Sequence, residues 1–207
     1  IDQNEFTSPT LNKELNKDLS ILNKKSIVLP LGEVKITRKV KSILIVIRVN
    51  TEIEIWDQNK RRLFEKPKIE YSIRSIKSLI NSINLCQNKY SGLKIKMIIL
   101  DDSSKDENLN RIKEIIKDAN GEIISLDTKK FESKIKKQKT QETFSNLASL
   151  LQCFEIGKEI GEDLIFFVED DYLHFKTMLA EMIGTYERVS SQVGKDIFMC
   201  PADYPYL

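Results

Sequence analysis

LIFFVEDDYLH, Leu164 to His174, starts as an apolar run fit for a buried strand and turns into three consecutive carboxylates, Glu169, Asp170 and Asp171. Packing gains nothing from such a triplet. Adjacent carboxylates repel, and burying one without a partner costs several kcal/mol. The stretch therefore asks for a positive charge that the neighbouring sequence does not supply. A second stretch has the same form: LKIKMIIL, Leu93 to Leu100, runs straight into DDSSKD, Asp101 to Asp106.

Both strands belong to a longer alternation. KSILIVIRV (Lys41 to Val49) is a dense run of β-branched residues and reads as a buried strand. Ile69, Ile73, Ile76, Ile80 and Ile83 then recur three or four apart, the stripe of a helix facing a sheet. Leu109, Ile112, Ile115 and Ile116 mark a second helix that stops at Asn120 and Gly121, before a third strand, EIISL (Glu122 to Leu126). A helix built on Phe144, Leu147, Leu151 and Phe154 ends near Gly161 and leads into the strand Leu164 to Val168. Phe175, Met178, Leu179, Met182 and Tyr186 predict a further helix, and DIFMC (Asp196 to Cys200) a last strand. Upstream, SIVLPLGEVKI has room for a short strand interrupted at Pro30, and Leu11, Leu15, Leu19 and Leu22 give a polar N-terminus the spacing of a weak amphipathic helix or arm. The alternation predicts an α/β domain, a mostly parallel central sheet flanked by helices, whose ligands sit beyond the carboxyl ends of the strands. We expect an arm or extension over 1–40 and this domain over 41–207.

Composition narrows the function classes. The chain has 207 residues, 41% hydrophobic and 31% charged, enough for one good core. Lys and Arg number 33 against 31 Asp and Glu, so the formal charge of +2 gives no global attraction to nucleic acid. Cys86, Cys153 and Cys200 are far apart and form no CxxC pair, which argues against a disulfide framework and a zinc site and for a reducing, cytoplasmic setting. No stretch approaches the ~20 apolar residues of a membrane span. The chain starts at Ile1 without a Met, which leads us to expect a piece of a longer protein.

Both acidic clusters emerge at carboxyl ends of strands, and if those strands are neighbours the clusters face one crevice. Carboxylate oxygens suit Mg²⁺ or Mn²⁺, which proteins commonly hold by one or two carboxylates together with substrate phosphates. Neither cluster has a Cys, or a His within it, to favour zinc.

A strand ending in ILDDSSKD, followed in order by helix, strand, longer helix and a strand ending in FFVEDD, resembles the nucleotide-sugar half of a GT-A (Rossmann-like) glycosyltransferase, and is most similar to glycosyltransferase family 2. The resemblance implies transfer of a sugar from a nucleotide-diphosphate sugar to an acceptor hydroxyl on a glycan or lipid-linked acceptor, with Mn²⁺ or Mg²⁺ as cofactor. By the same likeness Asp101 and Asp102, with Ser103 and Ser104 in the turn, match the strand-end motif that holds base and ribose. Glu169, Asp170 and Asp171 match the metal motif in its EDD form: Asp171 is the metal ligand, and Glu169 or Asp170 faces the ribose or the sugar. Three departures stand out. IRVNTEIEIWDQNKRRLFEKPKIE (Ile47 to Glu70) places a long insert between the first strand and its helix, leaving Arg48 and Asn50 as loose matches for nucleotide contacts. The helix before the EDD strand offers only SNLAS, around Asn146, where the family carries an ARN-like sequence. The chain stops at Leu207, where the family continues into its acceptor half, so Asp203 is the one late acidic candidate for catalytic base.

Each feature has a plainer reading. Asp and Ser after a strand often cap the next helix. His174 reads as an exposed residue in the first turn of a helix, and Cys153 as core. The six lysines between Lys129 and Lys139 read as a solvated loop, or more sharply as contact with a phosphate-bearing lipid or the inner face of an anionic membrane. Trp56, Tyr204 and Tyr206 fit ordinary packing as well as an acceptor sugar site. Two rival classes remain: a Mg²⁺-binding receiver domain, which needs its acidic pair after the first strand, and a silent nucleotide- or metal-binding module of the same fold.

Overall fold

The computed structural model describes residues 32–52, 65–136 and 140–200. Four strands form one all-parallel sheet: β1 (Ser42–Val49), β2 (Lys94–Asp101), β3 (Gly121–Ser125) and β4 (Leu164–Glu169), in the order β3-β2-β1-β4. Among the described residues four α-helices accompany them: α1 (Lys68–Lys89), α2 (Asp106–Ile116), α3 (Gln141–Ile160) and α4 (Met178–Val193). The protein is an α/β protein of Rossmann-like order, as the alternation of patterns predicts.

Each of the two central strands carries an unbroken apolar run where both of its faces are covered. Ile43 to Ile47 and Met97 to Leu100 are each no more than 3% exposed. On one face Leu44, Val46, Ile98 and Leu100 pack with Cys153 and Ile156 of α3. The chain steps from β1 through β2 to β3 in one direction and then back past β1 to β4. Right-handed crossovers therefore put α1 and α2 on the opposite face, where they pack against each other. Ile69, Ile73, Ile76, Leu79 and Ile83 are the buried line of α1, with Leu79 deeper than the predicted Ile80. After α2 a short 3₁₀ turn ends at Asn120, whose φ of 51° is left-handed. Gly121 follows because a Cβ there would lie 2.8 Å from Met97 Cε and 2.9 Å from Ile116 Cβ.

Three expectations need correction. The buried line of α3 is Ala148, Ser149, Gln152, Cys153, Ile156 and Gly157, not Phe144, Leu147, Leu151 and Phe154. Small residues decide this, since a Cβ at Gly157 would lie 3.0 Å from Ile165 Cδ1 and 3.1 Å from Phe167 Cζ. The helix seats its narrow side on the sheet, while Phe154, 57% exposed, meets the Phe167 ring edge-on at 5.1 Å. Second, Asp196 to Cys200 forms no strand, and Phe198 lies fully exposed. Third, 32–41 contains no strand, and Pro30 lies outside the described residues. The predicted arm helix (Leu11 to Leu22) lies outside them as well. The final helix starts at Met178, which leaves Phe175 before it and 79% exposed.

The chain divides into two compact units. Val40–Glu181 holds the sheet and the first three helices. The other draws its described residues from 32–39 and 182–200. Within it Arg38 pairs with Asp196 at 3.1 Å and lies over the Tyr186 ring, and Tyr186 Oη donates to Asp196 at 2.7 Å.

The orientation of α3 gives a direct test. Ile156→Ala should cost about 2–4 kcal/mol in urea unfolding, and Phe154→Ala less than about 1 kcal/mol. The reverse ranking would mean the helix is turned the other way.

Candidate functional site

The strand order reverses between β1 and β4, the position at which open α/β sheets form their ligand crevice. β2 and β4 are not neighbours: β1 lies between them, so the two acidic clusters stand two strand spacings, ~10 Å, apart. Arg48 and Asn50, at the end of β1, fill the strip between.

Successive side chains of a strand point to opposite faces, and this splits the triplet. Arg48 and Glu169 are register partners in adjacent strands, on the face covered by α3. Arg48 Nη2 donates to Glu169 Oε1, and Nη1 donates to Asn146 Oδ1 at 2.8 Å and Ser149 Oγ at 3.0 Å, both on α3. Burial pulls the Arg48 guanidinium below its ordinary value, with Cys153, Asp170 and Asp171 opposing. Asp170 turns to the α1 face and is 6% exposed. Its Oδ1 accepts from Lys68 Nζ at 2.8 Å and its Oδ2 from Ser72 Oγ. Asp171 is exposed and makes no hydrogen bond or ion pair with a described residue. Helix capping explains none of the three, because α4 begins only at Met178.

At the end of β2 the same alternation holds. Asp101, 3% exposed, accepts from the Ser104 N–H at 3.2 Å; burial pushes its carboxyl up and the Ser104 bonds oppose this. Asp102 reaches toward α3, where its Oδ1 accepts from Ser145 Oγ at 3.2 Å while its Oδ2 accepts from Asn50 Nδ2 at 3.3 Å. Ser103, which follows Asp102, is exposed, with a left-handed φ of 62°. Ser104 Oγ accepts the Thr51 N–H at 3.1 Å, tying the turn after β2 to the turn after β1. The plain reading of DDSSKDE as a helix cap fails: the N-cap of α2 is Lys105, with no side-chain cap.

The remaining candidates separate. Asp203, Trp56, Tyr204 and Tyr206 lie outside the described residues. Lys130 and Lys134 both pair with Glu155, at 2.6 and 2.7 Å, and lie over the buried Phe131 ring, so two lysines of the basic loop serve local structure. The three cysteines are free, and burial pushes the Cys86 and Cys153 thiols up to about 11. His174 is not an exposed helix residue: it precedes α4, its N–H donates to Ser78 Oγ at 2.9 Å, and its Nε2 is buried without a partner among the described residues. Among those residues no helix is long and apolar enough to cross a membrane.

Sequence reasoning missed Lys68 and Ser72, and it undervalued Asn146. Their partners lie about a hundred residues away, the separation being 102 for Lys68 and Asp170, so no local pattern marks them. As for a metal, no three His, Cys, Asp or Glu side chains among the described residues gather to hold one. A lone free carboxylate such as Asp171 suits an ion that takes its other ligands from phosphates and water. Comparison with protein-family models, with curated proteins and with solved structures finds no match.

His174 is the chain's single histidine, so one NMR titration reads it. Burial lowers its pKa below 6.5, which means the unfolded chain takes up the proton first. The stability contributed by the neutral ring is present above pH 6.5 and lost as the pH falls below it. We expect a midpoint below 6.5 in the folded protein, and a smaller acid-induced fall in the urea midpoint for His174→Gln than for wild type. A midpoint at or above 6.5 would contradict the buried placement.

Proposed function

We propose that this protein is a divalent-metal-dependent glycosyltransferase of the GT-A type, taking its sugar from a nucleoside diphosphate donor. The observation that carries the reading is the fate of the EDD triplet at the reversal of strand order. Glu169 is paired with Arg48 and Asp170 with Lys68, and of the three only Asp171 makes no ion pair with a described residue at the carboxyl edge. The order β3-β2-β1-β4 supports the same reading, since it is that of the first four strands of a dinucleotide-binding sheet. A receiver domain runs 2-1-3-4-5, with its first strand beside its third, and the order seen here is different.

In this reading Mn²⁺ or Mg²⁺ supplies neutralisation of the charge that grows on the leaving diphosphate. Asp171 would hold the ion. Asp102, held in place by Asn50 and Ser145, keeps lone pairs for the donor hydroxyls and the base, with Ser103 at the apex of the same turn. Asp101 shapes that turn from below through Ser104. Arg48 and Lys68 keep the crevice from accumulating the unbalanced negative charge that would repel a diphosphate. Asp203 is our candidate for the carboxylate that deprotonates the acceptor hydroxyl.

Calorimetric titration with Mn²⁺ and UDP, GDP, ADP or CDP tests the donor site. We expect metal-dependent binding of one of them, weakened at least about tenfold by Asp171→Ala, as loss of a carboxylate ligand implies. Binding that is indifferent to metal and to Asp171→Ala would sink the proposal. Binding without sugar transfer to any acceptor would leave a binding module of the same fold.

A further inference from the structure

The two edges of the sheet are finished differently. β3, on one side, opens with Gly121 and carries the exposed Glu122, which pairs with Lys96 of β2 at 3.2 Å. Charge on an edge strand discourages further pairing. β4, on the other side, pairs only with β1 among the described residues, and from Leu164 to Val168 it has no charged residue, no Pro and no Gly. Its outward row of backbone N–H and C=O groups is a template for another strand.

The surface beside that edge is apolar as well. Ile165 and Phe167 are 40% and 39% exposed. α3 lies low against them, since a Cβ at Gly161 would come within 2.9 Å of Ile165 Cδ1, and Phe154 extends the same patch through its ring contact with Phe167. A strand paired with β4 would cover this patch with every second side chain. Carboxylates bracket it: Glu162 and Asp163 before the strand, Glu169 and the exposed Asp171 after it. That charge argues against a second copy of this chain. Two β4 strands paired antiparallel about Phe166 would set Asp163 of each opposite Glu169 of the other, and like charges directly opposite are destabilising.

We propose that the outer edge of β4 docks an extended segment of a partner polypeptide, apolar at alternate positions and carrying lysine or arginine at both ends. The segment joins the sheet as a further strand. Main-chain hydrogen bonds along β4 supply its affinity, Ile165, Phe167 and Phe154 receive its apolar side chains, and the flanking carboxylates select its charge. The inference goes beyond the donor-site reading and stands without it.

Two short synthetic peptides test it on the whole isotope-labelled chain in metal-free buffer. Both alternate threonine and valine; one is flanked by lysines and the other by glutamates. In amide NMR spectra the lysine-flanked peptide should shift residues of β4 and of α3 around Phe154, and slow exchange of the β4 amides that point away from β1. The glutamate-flanked peptide should bind about tenfold or more weakly, and added salt should narrow the difference. Ile165→Lys together with Phe167→Lys, both at positions already in contact with water, should remove binding while the β1 and β2 signals stay in place. Phe154→Ala, expected above to cost little stability, should weaken binding several-fold. No binding of the lysine-flanked peptide, or equal binding of the two, would overturn the inference. So would full protection of those outer β4 amides in the chain alone, which would mean that the edge is already covered. Self-association that shifts β4 as the concentration rises would overturn it too, and make a second copy the occupant.

Discussion

A parallel sheet whose central strands are covered on both faces leaves its polar side chains only the strand ends, and the two acidic clusters of this molecule are arranged at the carboxyl ones. β1 and β2 are closed to solvent along most of their length. Every polar group that the sheet carries toward a ligand must therefore lie in the last residue or two of a strand or in the turn beyond it. Strand alternation then assigns each group a face. Arg48, Asp102 and Glu169 fall on the side of α3, and Asp101 and Asp170 on the opposite side. A triplet that looks like one cluster in the sequence is in space three separate environments.

This explains which parts were legible in advance. Buried parallel strands are continuous apolar runs, and α1 shows a clean helical stripe, so all four strands can be read within a residue and the existence of the helices between them can be read, though not their ends. The acidic strand ends are legible for the same reason, because they interrupt apolar runs. The order of strands is not, since nothing in LIFFVEDD states that β4 pairs with β1 and not with β2. The orientation of α3 also escapes, because that helix has apolar residues on several sides and its seating is decided by Gly157 against Ile165 and Phe167. DIFMC has the composition of a strand, but composition cannot supply a neighbour to pair with. Hardest to see are the cations. Arg48 and Lys68 look like ordinary charged residues near an element's end, and only the fold brings them to Glu169 and Asp170.

The chain after β4 shows how the same helix serves both core and site. α1 carries a second line beside its apolar stripe, Ser72, Ser75, Ser78 and Ser82, at the three- and four-residue spacing that keeps side chains on one face. Ser72 donates to Asp170, Ser78 accepts the N–H of His174 and Ser82 accepts the N–H of Leu179, the last two at 2.9 Å. A buried hydroxyl left without a partner costs about 1–3 kcal/mol, so serines on a buried helix face need compensation. Ser72, Ser78 and Ser82 find it in a segment that has left the sheet and whose backbone N–H groups have lost their ladder, while Ser75 Oγ is buried without a partner among the described residues. Asp170 is gripped from α1, Glu169 from β1 by Arg48, which α3 holds in turn, and the backbone three residues past Asp171 from α1 again. Among the described residues the carboxylate of Asp171 makes no hydrogen bond or ion pair while the chain on both sides of it is held, which is the condition that the proposed metal ligand needs, to be both available and fixed in place.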